Sequence, residues 1–413
     1  MANTTQKHWA GVDWGDREHT VCVVAAEGEV VQRFSAPQTA EGVETITQTL
    51  RAVGGLVGVA IETRQHLLVD ALRDGGLTVY AVNPKLSHDW GKCLSVNAPK
   101  DDHRDAWTLA FGLRMYQSHL RAIAPERPDM HTLALLCEHE QQLIKRRTAL
   151  VCELEAVLKR YFPAVLAWMP DWAVPAAWDF VRTFPTPQAL AEARKAKLCA
   201  WFKGHRMALT SARIKYIDER KQVLALAAEE QAGAVHALRA TTLADELRAL
   251  QRGIDEHRRR IQALFARHPQ ASILASLPGA GPKLAPRLLC IFDACQKRYE
   301  GAQGVCELAG TVPVTKQSGR SVTVKFRWAC RKSYRDTMHQ YAWVSMRRCE
   351  WARLFYQNCR KGGQHHALAL RNLATKWSKI IYRMCCENAP YDEQRYRAAL
   401  RRGNSPLAAC LEG

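Results

Sequence analysis

The stretch Trp9-Ala10-Gly11-Val12-Asp13-Trp14-Gly15 constrains this chain more than any other. Apolar residues carry it to Asp13, and Gly15 then lets the chain turn. It reads as a buried strand that ends on a carboxylate. A lone buried charge is expensive unless it is paired or binds a metal. Asp13 therefore asks for a cation, and for further carboxylates to share it.

The chain around it has 413 residues, enough for two or three domains with sizeable cores. A formal net charge of +19 points to a polyanionic partner, nucleic acid before a membrane surface. Residues 316–402 hold 20 Lys/Arg against 5 Asp/Glu, so the excess is concentrated there. The 14 cysteines include no Cys-x-x-Cys pair, so zinc spacing is absent and the thiols read as reduced, mostly buried groups. Met1-Ala2-Asn3-Thr4-Thr5 has no apolar leader, and no run is long enough to span a bilayer. The expectation is a bacterial cytoplasmic protein, working on nucleoid DNA and not on a membrane.

Three strands, His8–Trp14, His19–Ala25 and Val30–Ser35, are separated by turns short enough for antiparallel hairpins. A helix from Thr39 to about Val53 follows, then strand Val57–Thr63 and helix Gln65–Arg73. Strand Thr78–Val82 is stopped by Asn83-Pro84, and a helix runs from Asp101 to about Tyr116. Residues 7–125 thus predict an α/β domain with a mixed sheet, in the element order of the ribonuclease-H-like fold. Residues 126–268 predict a helical linker. Leu136, Leu143, Leu150 and Val157 fall seven apart, and Leu243, Leu247, Leu250, Ile254, His257, Ile261 and Leu264 keep 4-3 spacing. Both are coiled-coil-like seams that pair within a chain or between chains, with His257 as a register-setting polar residue. A Trp- and Pro-rich insertion at about 161–235 divides them, and the sequence offers no function for it. Residues 269–390 form a mostly helical C-terminal domain, and 391–413 a tail.

Asp13 and Glu62 end apolar strands one and four, which are neighbours in a ribonuclease-H-like sheet. Asp102 and Asp105 stand three apart on one helix and share a face. If that helix packs across the two strands, all four acids converge. Carboxylates without His or Cys suit hard, oxygen-loving Mg²⁺ or Mn²⁺. Separately, Asp102 is also a plain helix cap and Asp105 a solvated residue; Asp16, Asp89 and Asp101 are the decoys.

Leu277-Pro278-Gly279-Ala280-Gly281-Pro282-Lys283 resembles a helix-hairpin-helix turn. Gly279 and Gly281 would let backbone amides approach a phosphate at a helix start, with Lys283 beside them. The plainer reading is a tight turn between packed helices. Further on, Ser318 lies in a basic loop with Lys316 and Arg320, followed by Lys325 and Arg327. Such a serine most simply caps or turns. Here the cations around it would also stabilise an alkoxide or hold a phosphate.

Asp13, Glu62 and Lys100-Asp101-Asp102-His103-Arg104-Asp105-Ala106 resemble the Asp-Glu-Asp-Asp set of the insertion sequence 110 transposases, relatives of the pilin-gene invertases. Where that family has Lys-Thr-Asp or Lys-Ser-Asp this chain has Lys100-Asp101-Asp102, and the Asp-x-x-Asp-Ala frame selects Asp102. Leu277–Lys283, Ala309–Gly319 and Ala369-Leu370-Arg371-Asn372-Leu373-Ala374 are similar to motifs of that family's C-terminal domain. The resemblance implies a RuvC-like domain in which Asp13, Glu62, Asp102 and Asp105 hold Mg²⁺, with Ser318 as the nucleophile. It implies a structured non-coding guide RNA, the bridge RNA, that pairs with target and donor DNA. It also implies homodimers that pair into homotetramers.

Three rivals remain at this point. One is a ribonuclease-H-like nuclease or junction resolvase that cuts with metal-activated water while Ser318 stays inert. A second is a non-catalytic nucleic-acid-binding protein. The third is a sugar-kinase or actin-like ATPase, whose phosphate loop Gly11-Val12-Asp13-Trp14-Gly15 also fits but whose second half would not be helical and basic.

Overall fold

The computed structural model describes residues 6–64, 66–94, 101–123, 127–226, 230–319 and 321–411. The chain divides into two compact units, Met1–Arg127 and Pro128–Gly413.

The first unit is a mixed α/β domain. Its elements are β1 (His8–Trp14), β2 (Glu18–Ala25), β3 (Val30–Pro37), α1 (Ala40–Ala52), β4 (Leu56–Ile61), α2 (Leu67–Asp74), β5 (Val79–Ala81), α3 (Pro84–Leu94) and α4 (Asp102–Tyr116). The five strands form one sheet in the order β3-β2-β1-β4-β5. The β1–β2 and β2–β3 pairs are antiparallel, whereas β1–β4 and β4–β5 are parallel. Side chains alternate across such a sheet. Ala10, Val12, Val59 and Ile61 face the layer of α1 and α2. Trp9, Cys22, Val24 and Ala60 face α4, through Ala106, Leu109, Ala110 and Leu113.

Thr39 caps α1 by accepting from Gly42 N, and Asp101 caps α4 by accepting from His103 N. The cap of α4 is thus the neighbour of Asp102, which leaves Asp102 inside the first turn. One element was not expected. Asn83-Pro84 stops β5 and also starts α3: Asn83 Oδ1 accepts from Lys85 N at 2.9 Å, and Pro84 takes the first helical position. Proline is well placed there because its missing N–H has no intrahelical partner in any case.

The second unit opens with α5 (Pro128–Tyr161), followed by α6 (Pro175–Thr183), α7 (Pro187–Glu192), α8 (Lys195–Gly204), α9 (Ser211–Asp218) and α10 (Glu230–Ala266). Helices α5 and α10 pair within the chain. Their contacts run Glu140–Arg258 (2.8 Å), Arg147–Gln251 (2.7 Å) and Glu153–Arg239 (2.6 Å), so the two helices are antiparallel. His257 stands on this seam, its Nδ1 2.8 Å from Gly253 O. Trp168, Trp172, Trp178, Phe180 and Phe202 of the intervening segment pack on Leu154, Leu158, Leu243 and Leu247 in one core.

The remainder holds α11 (Ala271–Ala275), α12 (Gly281–Phe292), α13 (Cys295–Arg298), α14 (Ala302–Leu308), β6 (Val314–Ser318), β7 (Ser321–Lys325), α15 (Lys332–Ser345), α16 (Glu350–Lys361), α17 (His366–Glu387), α18 (Glu393–Arg402) and α19 (Pro406–Ala409). Its core gathers Leu288, Phe292, Tyr341, Trp351, Trp377 and Ile381, and takes in Leu133 of α5 and Ile261 of α10. Among the described residues no helix is long and apolar enough to cross a membrane.

Candidate metal centre and serine hairpin

The acidic edge begins with register. Gly11 pairs with Ala60 and Val12 with Ile61 across the parallel β1–β4 ladder. Asp13 and Glu62 are the next residues, so they stand side by side at the carboxyl end of this ladder, Asp13 still paired with Thr20 of β2 and Glu62 just past the end of β4. Each lies two positions beyond a residue under α4, so alternation turns both to the α4 side.

The helix is held very close at this point. A Cβ added to Gly11 would stand 2.1 Å from Ala106 O and 2.4 Å from Ala110 N. Farther along, Trp9 Nε1 donates to Gln117 Oε1 at 3.1 Å. Helix α4 therefore runs antiparallel to β1, and its first turn overhangs the edge where Asp13 and Glu62 emerge. Asp102 continues the Ala106–Leu109–Leu113 stripe and Asp105 flanks it. The fold so brings all four predicted acids to one edge. Among the described residues no three His, Cys, Asp or Glu side chains are gathered closely enough to hold a metal ion. Four carboxylates repel one another unless a cation lies between them. As a donor set, all oxygen and all anionic, they fit a hard divalent cation.

Neighbours tune this edge. Ser87 Oγ, on α3, donates to Glu62 Oε1 and fixes that carboxylate. His66 caps α2 through Nδ1, which accepts from Leu68 N at 3.2 Å. Its imidazole lies 4.9 Å from Trp14 and 5.6 Å from buried His19. Burial, then repulsion from His19, hold the His66 pKa below its ordinary value, against a smaller pull from Asp16 and Asp70. The neutral form is the one whose Nδ1 can accept the cap bond.

Ser318 occupies a different kind of place. It ends β6, paired in register with Ser321, in a two-stranded hairpin. The expected loop is thus the tip of a ribbon, and Gly319 at φ +55° turns it. Alternation puts Lys316, Ser318, Ser321, Thr323 and Lys325 on one exposed face. Thr315, Gln317, Val322 and Val324 take the other. Arg320 and Lys100 lie outside the described residues. Arg327 does not join the basic face. It donates to Val312 O and Pro313 O at 3.3 and 3.4 Å and so braces the root of the ribbon.

The Leu277–Lys283 turn joins α11 to α12. Gly279 (φ +80°) and Gly281 (φ +53°) both take left-handed backbone, and a Cβ on Gly279 would press on Val344 at 3.0 Å. The turn borders a cleft of about 520 Å³, lined also by Lys145, Arg147, Arg258, Lys283 and Trp343.

Two family models match the chain: one described as a transposase, of the Asp-Glu-Asp-Asp type, over residues 10–163, and the transposase IS116/IS110/IS902 family over residues 271–357. Together they cover more than half of it. The chain belongs to the IS110/IS116 family of transposases. It is 27% identical over 404 residues to the mini-circle putative transposase for IS117 of Streptomyces coelicolor, covering 95% of this chain and 97% of that one. It is 26% identical over 393 residues to an uncharacterized 44.8 kDa protein of insertion element IS116 from Streptomyces clavuligerus, covering 93% and 96%. A putative transposase, y4uE, of Sinorhizobium fredii is 30% identical over 210 residues, which are 49% of this chain and 58% of that one.

A transposase cleaves and rejoins DNA, so a strongly basic second half and an acidic strand edge are both in keeping with this membership. Sequence reasoning passed over Ser87 because Asn83-Pro84 reads as a stop, although the same dipeptide is a cap followed by a first-turn proline. It also passed over His66, whose capping role depends on the ring's own position.

Proposed function

We propose that this transposase is a Mg²⁺- or Mn²⁺-dependent, RNA-guided serine recombinase of a mobile element, with a ribonuclease-H-like, RuvC-like first domain. In this reading Asp13, Glu62, Asp102 and Asp105 hold the divalent cation, with Ser87 steadying Glu62. When bound, the cation supplies polarisation of the scissile phosphate and neutralises charge that develops there.

Ser318 supplies the nucleophile. Its Oγ forms a bond to phosphorus as the bond to one deoxyribose oxygen breaks, and the hydroxyl proton ends on the leaving oxygen. The phosphoserine link retains the energy of the broken bond, so the reverse attack by a deoxyribose hydroxyl rejoins strands without ATP. Lys316, Arg320 and Lys325 hold backbone phosphates beside the ribbon, and Gly279, Gly281 and Lys283 do so at the start of α12. A structured non-coding RNA of the element selects target and donor DNA by pairing, on homodimers that join as homotetramers.

The observation that carries this reading is that Asp13 and Glu62 each follow the paired Val12 and Ile61, under the first turn of α4. The experiment is denaturing electrophoresis of the protein with labelled DNA and Mg²⁺. A covalent adduct that disappears in Ser318→Ala supports the serine route. Cleavage without an adduct, or an adduct that survives Ser318→Ala, rejects it in favour of hydrolysis by water. Sequencing RNA that co-purifies with the protein tests guidance: one structured species supports it, and bulk cellular RNA counts against it.

A further inference from the structure

At the root of the ribbon that carries Ser318, Phe326 directly follows β7. Two guanidinium groups lie over its ring, Arg335 of α15 at 5.1 Å and Arg371 of α17 at 4.4 Å from the centroid. Arg371 is the arginine of the Ala369–Ala374 motif, to which nothing above gives a role. Among the described residues no carboxylate forms an ion pair with either arginine. The neighbouring Asp336 is engaged by Lys145 at 3.0 Å. Arg335 donates to Cys330 Sγ at 3.6 Å, a weak acceptor. Arg371 Nε and, one turn beyond Arg335, His339 Nε2 are buried without a hydrogen-bond partner among the described residues.

Two cations held together without a counter-charge are costly unless an anion completes the site. The same tension shows in protonation. Burial first, then the charge of Arg335, lower the Arg371 pKa, and burial followed by Arg371 and Arg335 lowers that of His339. Aromatic contact offsets only part of this, because a ring face attracts a cation but carries no net charge.

We propose that Arg335 and Arg371 form a phosphate clamp for the DNA backbone beside the cutting site. It deepens the reading of Ser318 as nucleophile and rests on it. Ser318 stands four residues up the ribbon from the Val314–Lys325 pair. At a rise of about 3.3 Å per residue it is roughly 13 Å from the root. Phosphates recur about every 3.4 Å of duplex axis on one strand, so the clamp takes a phosphate some four base steps from the one attacked. Arg335 and Arg371 are then positioning residues: they fix how far along the backbone the ribbon tip falls. DNA is favoured as the occupant because it is what a transposase must hold at its cutting arm.

The test is the salt dependence of binding to a labelled random-sequence DNA duplex, made in the Ser318→Ala chain so that no chemistry intervenes. Each phosphate contact contributes about one unit to the log–log slope. Arg371→Gln is expected to lower the slope by up to about one, and the double change with Arg335→Gln by about one in all, because both arginines meet the same phosphate. The melting temperature without DNA is expected to hold or rise, since like charges are removed. Arg371→Lys is expected to keep the wild-type slope, because a point charge still meets a phosphate. An unchanged slope with a lowered melting temperature would assign the pair to bracing the ribbon and overturn the clamp. If Arg371→Gln is too unstable to measure, Arg335→Gln alone decides: a lowered slope supports the clamp and an unchanged slope overturns it. A slope change on an RNA duplex with none on DNA overturns the DNA assignment. The serine reading fails independently: it would fall with loss of the adduct result, and the slope difference would still stand.

Discussion

The acidic edge and the serine ribbon are built in opposite ways. Strand β1 is paired on both sides and covered by α4 so closely that Gly11 has no room for a Cβ. The ribbon has only two strands, Val322 and Val324 on it are 59% and 64% exposed, and Trp328 at its root is 76% exposed. A two-stranded hairpin is marginal by itself in water, whereas a five-stranded sheet with helices on both faces is not. The contrast teaches a division of labour. In the proposed function, charges that converge on a cation have a scaffold that over-determines their positions, and the proposed nucleophile sits on an arm that a large polymer itself can help to order.

The largest expected effect separates the two regions chemically. Asp13→Ala or Glu62→Ala is expected to lower strand cleavage by about 10³-fold or more, the scale of a lost metal contribution. The folded protein is expected to keep or slightly raise its melting temperature, because one of several like charges is gone. Added Mg²⁺ or Mn²⁺ should raise the melting temperature of the parent chain and not of these variants. Full cleavage activity after chelation with EDTA would break the contrast at its root.

Next in size is a test of rigidity. Gly11→Ala pushes a methyl group into the backbone of α4, and overpacking of this kind costs about 1–3 kcal/mol or more. Thermal unfolding should register it as a clear drop in the first domain, with cleavage lost in parallel. By contrast Gly319→Ala meets no atom within 4 Å and pays only for its left-handed backbone at φ +55°. That cost is about 1–2 kcal/mol and local to the ribbon. Cleavage is expected to fall by about tenfold at an unchanged global melting temperature. If both glycine variants behaved alike, the rigid-edge and adaptable-arm distinction would be lost.

The smallest effect concerns His66. Its folded pKa lies below the ordinary 6.5, mainly through burial and then His19, so the fold favours the neutral ring. The stability this contributes is present above pH 6.5 and is lost as pH falls below it. His66→Asn keeps a good capping residue without a titrating ring. Melting curves across that range are expected to show a shallower acid-side decline for the variant. An equal decline in both would remove His66 from the account of the acidic edge.

Much of the first domain was legible from apolar spacing, because burial on a sheet or helix face imposes a period on the chain. The strand His8–Trp14 is found with those bounds, and Thr39 and Asp101 serve as caps where helices were expected to begin. Helix α3 was not legible, because Asn-Pro is compatible both with a stop and with a helix start. The choice depends on what Trp90 and Ser87 then pack against. The pairing of the two seams was likewise open, since a heptad pattern shows that a helix has a partner and does not say which.

By itself the sequence determined the kinds of side chain available: four acids near strand ends and a helix start, a serine among cations, and a basic second half. Hydrophobic periodicity and charge are local properties of the chain, and they survive without knowledge of the fold. Only the tertiary structure decided that Asp13 and Glu62 stand side by side under α4, and that Ser318 ends a strand instead of lying in a loop. It also decided that Arg335 and Arg371, 36 positions apart, share one phenylalanine ring. Register, helix direction and the meeting of distant cations arise from packing between elements, which no single stretch of sequence encodes.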